Sequence, residues 1–220
     1  MKQTTHFELD EIHDKLYSAV ISDALDSLGL RHQAIQGGLK PFTGVGKLVG
    51  RCKNTLWADL YHEDPDPYAL ELKAVDSCKP GEVLIAAAAG SLRSGIWGEL
   101  LSTAALNSGC RGAIVDGAVR DVSKMREMKF PVFALGTCVY DSLHRQRVVD
   151  LDVPVEIDGI RIAPEDLIFA DEDGIVVIPA GVEAEVLNRA MQKVTAENIT
   201  RDAIKNGMKA LDAYKKYGVL

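Results

Sequence analysis

The residues best placed for chemistry lie between Gly95 and Asp121, in the run GIWGELLSTAALNSGCRGAIVDGAVRD. A glycine-bounded loop, Gly95–Gly98, leads into an amphipathic stretch that reads as a helix from about Gly98 to Ser108. A short apolar strand follows, and the run closes on the adjacent pair Arg120 and Asp121. The first turn of a helix carries N–H groups with no intrahelical acceptor, and with the helix dipole these suit a carboxylate. Here they are the amides of Leu100 and Leu101, open to close approach because Gly98 has no side chain. An arginine fork can hold an oxyanion, and an aspartate beside it can hold a hard cation. Glu99, separated from Arg120 by 20 residues, adds an acid at the neighbouring strand end. Together these parts suit a metal-assisted site for a small keto acid. A plainer role is open for each: every α/β crossover has a helix start, and Asp121 can be an ordinary N-cap with Arg120 a surface charge.

The elements that must position these residues follow from periodicity. Leu9, Ile12, Leu16, Val20 and Ile21 fall near helical spacing, and Ser22-Asp23 can cap a second short helix stopped by Gly29, giving a helical N-terminal segment over about 9–29. A glycine-rich loop covers 30–46, Leu48 to Leu60 reads as a strand, and Pro65 and Pro67 keep HEDPDP irregular. Tyr68 to Cys78 has helical periodicity, and a strand opens at Glu82. Strands at Gly112–Asp116 and Phe130–Ala134 flank a helix from Arg120 to Met128. This β-α-β-α-β rhythm predicts right-handed crossovers and a parallel sheet. After Arg147 the pattern changes to short alternating strands, with a tight hairpin at Asp158-Gly159, which predicts an antiparallel sheet beside the parallel one. From Gly181 to Tyr217 the chain reads as helical, with a break. No composition shift marks a boundary, so residues 1–220 are expected to form one domain.

Composition narrows the function classes. The chain has 220 residues, is 47% hydrophobic and carries a net charge of −7. An acidic chain with scattered Lys and Arg lacks the basic stripe that phosphate neutralisation requires, so nucleic acid is not an expected partner. The apolar run VLIAAAAG from Val83 falls far short of the ~20 residues that span a bilayer, so no membrane is expected. The N-terminal MKQTTHFELDEIHD has neither an apolar core nor a small-residue cleavage site. Cys52, Cys78, Cys110 and Cys138 lack C-x-x-C spacing and read as reduced, buried thiols, which makes the cytoplasm the expected compartment. His6, His13, His32, His62 and His144 show no metal-ligand spacing. Gly44–Gly50 misses the dinucleotide fingerprint by one position and precedes a strand. Asp171-Glu172-Asp173-Gly174 lacks the full calcium-loop series and reads as a turn. Trp57 and Trp97 read as packing residues, with Trp97 placed to wall a pocket.

The pattern acidic-x20-Arg-Asp, with W-G-E-L-L-S-T-A-A at its start and G-A-I-V-D-G-A-V-R-D at its end, resembles the class II pyruvate aldolases. These cleave 4-hydroxy-4-methyl-2-oxoglutarate and related 4-carboxy compounds, and their family includes the regulator of ribonuclease E activity. Ser22-Asp23-Ala24-Leu25, Lys79-Pro80-Gly81 and Ala170–Gly174 also match it, so the likeness runs over most of the chain. The resemblance implies a three-layer swivelling β/β/α domain with a parallel sheet, a smaller antiparallel sheet and a C-terminal helix. It also implies homotrimers or homohexamers with the site at a subunit interface. Carried over by residue, Asp121 would ligate Mg²⁺ or Mn²⁺, Arg120 would bind the keto oxygen, and Gly98 with the Leu100 and Leu101 amides would receive the carboxylate. Glu99 would orient water at the metal, and Glu197 of a neighbouring subunit would complete the site.

The implied reaction is retro-aldol release of pyruvate, with oxaloacetate decarboxylation through the same enolate. The alternative is a binding protein that regulates a ribonuclease without catalysis. Two positions depart from the pattern: Glu99 stands where the family more often has Asp, and Lys124 where an acidic residue is frequent. A Schiff-base route would need a desolvated lysine, and Lys124, the lysine near the motif, is expected to face solvent.

Overall fold

Two strands are largely apolar on both faces, which suits the inside of the molecule: Glu82–Ala87 (β4) and Gly112–Val119 (β6) are buried along their whole length, Glu82 and Asp116 included. In the computed structural model, which describes residues 7–219, they sit side by side in one large mixed sheet. The other strands are Ala34–Ile35 (β1), Lys40–Pro41 (β2), Leu48–Asp59 (β3), Gly95–Trp97 (β5), Val132–Thr137 (β7), Gln146–Leu151 (β8), Val155–Ile157 (β9), Ile160–Ile162 (β10), Leu167–Ala170 (β11) and Ile175–Ile178 (β12). The helices are Leu9–Lys15 (α1), Ser18–Asp26 (α2), Ala69–Asp76 (α3), Glu99–Asn107 (α4), Val122–Glu127 (α5), Glu183–Lys205 (α6) and Ala210–Tyr217 (α7), with a 3-10 turn at Ala180–Val182 before α6. His6 and the rest of the first six residues lie outside the described residues.

The sheet runs β1-β12-β11-β3-β4-β6-β7-β2, with β5 added to β6 and β8 to β3. Its centre, β3-β4-β6-β7, is parallel, as the β-α-β rhythm predicts. The antiparallel strands differ from the sequence expectation in where they go. β3 is 12 residues long, and opposite β4 its first part pairs with β11 and its last part with β8. Most of the antiparallel strands therefore join the main sheet, and the separate sheet is the hairpin β9–β10 alone. Asp158 and Gly159, at φ 52° and 75°, form its two-residue turn as expected.

Three layers result. On one face of the sheet, Ala74, Val75, Ala105 and Met125 of α3, α4 and α5 pack on Leu84, Ala113 and Val115. On the other face the hairpin contributes Val155, Ile157, Ile160 and Ile162 against Val83, Ile85 and Ile114. Helices α1, α2 and α6 cover the β11–β12 end through Ile12, Val20, Ile21, Val186 and Leu187. Ser22 and Asp23 lie inside α2 and are not its caps. The helix starts at Ser18, whose N–H and Oγ both donate to the Asp171 carboxylate, at 2.7 and 2.6 Å. A distant acid supplies the cap, which no local pattern records. Cys52, Cys78 and Cys110 are buried and Cys138 is partly so, all four as free thiols.

Candidate active site

The strand carrying the Arg-Asp pair is longer than its apolar core suggests. β6 continues through Asp116–Val119 because β5 lies beside its far end, pairing Gly95 with Ala118 and Trp97 with Val119. Arg120 and Asp121 follow at once, and the Arg120 N–H donates to the Trp97 carbonyl at 2.8 Å. The start of α4 is thereby held against the end of β6. Gly98 is where they touch: a Cβ there would stand 2.8 Å from Asp121 Oδ2 and 3.2 Å from Arg120 Cγ. Trp97 fixes the turn from below. It is buried, donates from Nε1 to Ser102 Oγ at 2.8 Å and stacks on Phe130. Ser102 Oγ in turn donates to the Gly98 carbonyl at 2.9 Å.

The first backbone bond of α4 runs from the Ser102 N–H to the Gly98 carbonyl, so the amides of Leu100 and Leu101 have no helical acceptor. Asp121 stands at the N-cap position of α5 at φ 56°, a left-handed conformation that aspartate tolerates better than most residues. Its carboxylate makes no cap bond to α5. Instead Oδ2 lies 3.4 Å from the Glu99 N–H and 4.0 Å from Arg120 Nε. The backbone of Asp121 performs the capping, and its side chain is left for other work.

These groups open into a cavity of about 270 Å³ whose walls include Gly95–Gly98, Leu100, Leu101, Arg120 and Asp121. The opposite wall is Tyr68, Glu71, Leu72, Asp141 and Ser142. Arg120 Nη2 pairs with Asp141 Oδ2 at 2.6 Å, while Asp141 Oδ1 accepts from Tyr68 Oη at 2.7 Å and from the Leu143 N–H at 2.8 Å. Burial raises the Asp141 carboxyl, but the Leu143 amide, Tyr68 and Arg120 outweigh it and hold the group below the usual carboxylate range. Burial, followed by the bond to Asp141, pushes the Tyr68 phenol up to about 12. Glu71 is 8% exposed, and its Oε2 has no hydrogen-bond partner. Burial, with the Asp141 charge adding to it, pushes its carboxyl up to about 8, against the pull of Arg120 and a hydrogen bond from Ser142.

Glu71 makes stability depend on pH. Its ordinary value is 4.5, so between that and about 8 the unfolded chain has lost the proton that the folded chain keeps. The folded state then binds more protons, and stability falls as pH rises through this window and levels off above it. The full shift is an upper bound; halved for the response of Arg120 and water, it is worth about 2 kcal/mol. Glu71→Gln removes the dependence. Its melting temperature is expected to gain roughly 4–8 °C on the unsubstituted protein between pH 5 and pH 9. Parallel melting curves across that range would expose an error here.

Comparison with known proteins places this geometry. The sequence profile of the RraA-like family, described as Aldolase/RraA, matches residues 18–177. The chain belongs to the RraA-like family. The matched span contains every wall of the cavity. A Halalkalibacterium halodurans protein named "Putative 4-hydroxy-4-methyl-2-oxoglutarate aldolase" is 33% identical over 194 residues, covering 88% of this chain and 87% of that one. A Thermus thermophilus protein named 4-hydroxy-4-methyl-2-oxoglutarate aldolase is 31% identical, covering 67% of this chain and 85% of its own. The crystal structure of Streptomyces coelicolor RraAS2, described as an unusual member of the RNase ES inhibitor RraA protein family, superposes with a TM-score of 0.77. That match is 28% identical and covers 90% of this chain and 97% of the other. The mixed sheet with its C-terminal helices is thus the fold of RraA-like proteins.

Of the residues singled out by sequence in this RraA-like chain, Gly98, Leu100, Leu101, Arg120 and Asp121 meet at one cavity. Glu99 opens α4 beside them, with its carboxylate accepting from Thr103 Oγ1 at 3.1 Å. Glu197 lies on α6, beyond the matched residues, hydrogen-bonded by Tyr17 and lining a separate surface recess with Thr200, Arg201, Ile204 and Lys205. Any part it takes in the cavity would have to come from another copy. Tyr68, Glu71, Asp141 and Ser142 were not anticipated. Glu71 had a signal: it shares its helix face with Ala74 and Val75, an acid at the i position of a buried i, i+3, i+4 stripe. Asp141 and Ser142 lie in an irregular segment with none.

Proposed function

We propose that the cavity is the active site of a carbon–carbon lyase that releases pyruvate from 4-hydroxy-2-keto acids. The observation that carries this reading is the convergence of two acceptor-free amides, one arginine fork and one uncapped aspartate on a single small cavity. The names of the relatives support it.

The donor chemistry also fits a hard divalent cation. The cavity offers carboxylates and no imidazole or thiolate, and among the described residues no three His, Cys, Asp or Glu side chains form a cage. One carboxylate completed by water is a mode that Mg²⁺ or Mn²⁺ accepts, and Asp121 would be that ligand. When bound, such an ion supplies Lewis acidity to the keto oxygen.

The chain's own residues do the rest. The Leu100 and Leu101 amides receive the C1 carboxylate, and Arg120 donates to the C2 oxygen, where negative charge develops. Glu99 orients the water that takes the C4 hydroxyl proton. The C3–C4 pair moves into the C2–C3 bond, the carbonyl electrons move to oxygen, and a proton returned to C3 yields pyruvate. Loss of CO₂ from oxaloacetate leaves the same enolate, so decarboxylation is an expected companion activity. Assembly into trimers or hexamers, with Glu197 of a second copy reaching the cavity, belongs to this reading. A second reading, a ribonuclease-binding regulator, draws on the RraAS2 likeness, but binding alone gives no use for Arg120 and Asp121.

Pyruvate release from 4-hydroxy-4-methyl-2-oxoglutarate or oxaloacetate is expected with Mg²⁺ or Mn²⁺, to stop with EDTA and to return on adding back the metal. Asp121→Ala is expected to be folded and inactive. No metal-dependent release from any 4-hydroxy-2-keto acid or from oxaloacetate, together with capture of a nuclease, would reverse the ranking.

A further inference from the structure

Arg120 has two carboxylates within reach, and which one it holds decides what Asp121 can do. Its Nη2 lies 2.6 Å from Asp141 Oδ2, and its Nε lies 4.0 Å from Asp121 Oδ2. The Arg120 backbone is fixed by its bond to the Trp97 carbonyl, and the stem of its side chain rests on Gly95 and Gly98. The side chain as a whole is 36% exposed, so packing alone does not hold the guanidinium; the ion pair with Asp141 does. A guanidinium turned onto Asp121 would cover carboxylate oxygens with N–H donors and set a positive charge where a cation would stand.

Asp141 is built to win this competition. Its Oδ1 accepts from Tyr68 Oη at 2.7 Å and from the Leu143 N–H at 2.8 Å, which leaves Oδ2 to face Arg120. Asp121 is held more loosely. Its carboxylate makes no cap bond to α5, and the Glu99 N–H stands off at 3.4 Å. All of these contacts are made within one chain.

We propose that Asp141 is a positioning residue for the cation site: by holding the Arg120 fork across the cavity, it keeps the Asp121 carboxylate open to a divalent ion. This rests on the reading of Asp121 as the metal ligand of a pyruvate-releasing site, and gives Asp141 a role that acts through Arg120. Tyr68 supports it at one remove, by donating to Asp141.

The test measures Mn²⁺ affinity on the full chain, from the electron paramagnetic resonance signal of the free ion. The proteins are the unsubstituted chain, Asp141→Asn, Arg120→Met and the double variant, each checked by circular dichroism. Asparagine keeps an acceptor for Tyr68 and the Leu143 N–H but offers Arg120 no charge, so the fork is released. Asp141→Asn is expected to weaken Mn²⁺ binding about 10–100-fold, the usual cost of losing a group that orients a metal site. In the Arg120→Met background the same substitution is expected to change it by less than about threefold, since no guanidinium is left to swing onto Asp121. The comparison separates positioning from the direct pull of the Asp141 charge on the ion, which acts in both backgrounds. Tyr68→Phe loosens Asp141 without removing a charge. It is expected to weaken binding about two- to fivefold only where Arg120 is present, and carries the same comparison should Asp141→Asn not fold. Unchanged affinity in Asp141→Asn overturns the positioning role, as do equal losses with and without Arg120 for either substitution. No Mn²⁺ binding by the unsubstituted protein removes Asp121 as a ligand and this inference with it. The expected pattern of Mn²⁺ affinities without pyruvate release from any substrate removes the lyase reading and leaves the role of Asp141 standing.

Discussion

Arg120→Met is expected to lower kcat for pyruvate release by about 10²–10³-fold, the usual loss when one donor to a developing oxyanion is removed. The residue is held in place by two contacts made before any substrate arrives, one of its backbone and one of its side chain. Its own N–H is fastened to Trp97, and its guanidinium is fastened to Asp141 at 2.6 Å. Asp141 is itself fixed by Tyr68 and the Leu143 amide, so the fork does not need to be ordered during the reaction. Methionine keeps much of the apolar stem that packs over Gly95 and Gly98, which separates loss of charge from loss of packing. The acid left behind, Asp141, is about one-third exposed, so water can solvate it and the fold is expected to survive. Arg120→Lys keeps the charge but not the planar fork, and is expected to fall between the two. Steady-state kinetics with circular dichroism on each protein decides the matter; a kcat for Arg120→Met within fivefold of the unsubstituted protein would remove Arg120 from the chemistry.

What the sequence revealed and what it hid have a common physical origin. That the α4 start, Arg120 and Asp121 lie together was legible because their placement is local: a helix must begin somewhere, and its first amides and the residues ending the next strand are fixed by chain order. The hairpin at Asp158-Gly159 was legible for the same reason, since two positive φ angles are a property of those two residues. The long β3, which pairs with β11 and β8, was not read as the bridge between parallel and antiparallel parts, because pairing partners are chosen by distant strands. Asp171 as the acceptor at the start of α2, 153 positions away in sequence, was invisible for that reason too. The far wall of the cavity shows the limit most clearly. Asp141 acquires its role only when β5 brings Arg120 under it, whereas Glu71 left a trace by standing on a buried helical stripe.

Gly95→Ala is expected to damage stability and activity together, because this glycine sets how closely that far wall approaches. Its backbone φ is not the constraint. A Cβ at Gly95 would stand 2.5 Å from the carbonyl oxygen of Cys138 and 3.0 Å from Arg120 Cβ. The first obstacle is backbone and cannot rotate away. β5 cannot retreat either, since Gly95 is paired with Ala118 of β6 and its N–H donates to the Tyr140 carbonyl at 2.8 Å. The 138–140 segment must therefore move outward, at a cost of about 3 kcal/mol for overpacking a closed contact, or roughly 6–12 °C in melting temperature. Asp141 is the next residue along, so the same movement draws it from Arg120. A displacement of about 1 Å at a positioning contact is worth on the order of 10²-fold in rate. Gly181→Ala is the matched control: a Cβ there meets nothing within 4 Å, and it is expected to leave the melting temperature and the rate unchanged. If Gly95→Ala melts with the unsubstituted protein and keeps its kcat, then the close approach of β5 does not hold the two walls of the cavity together.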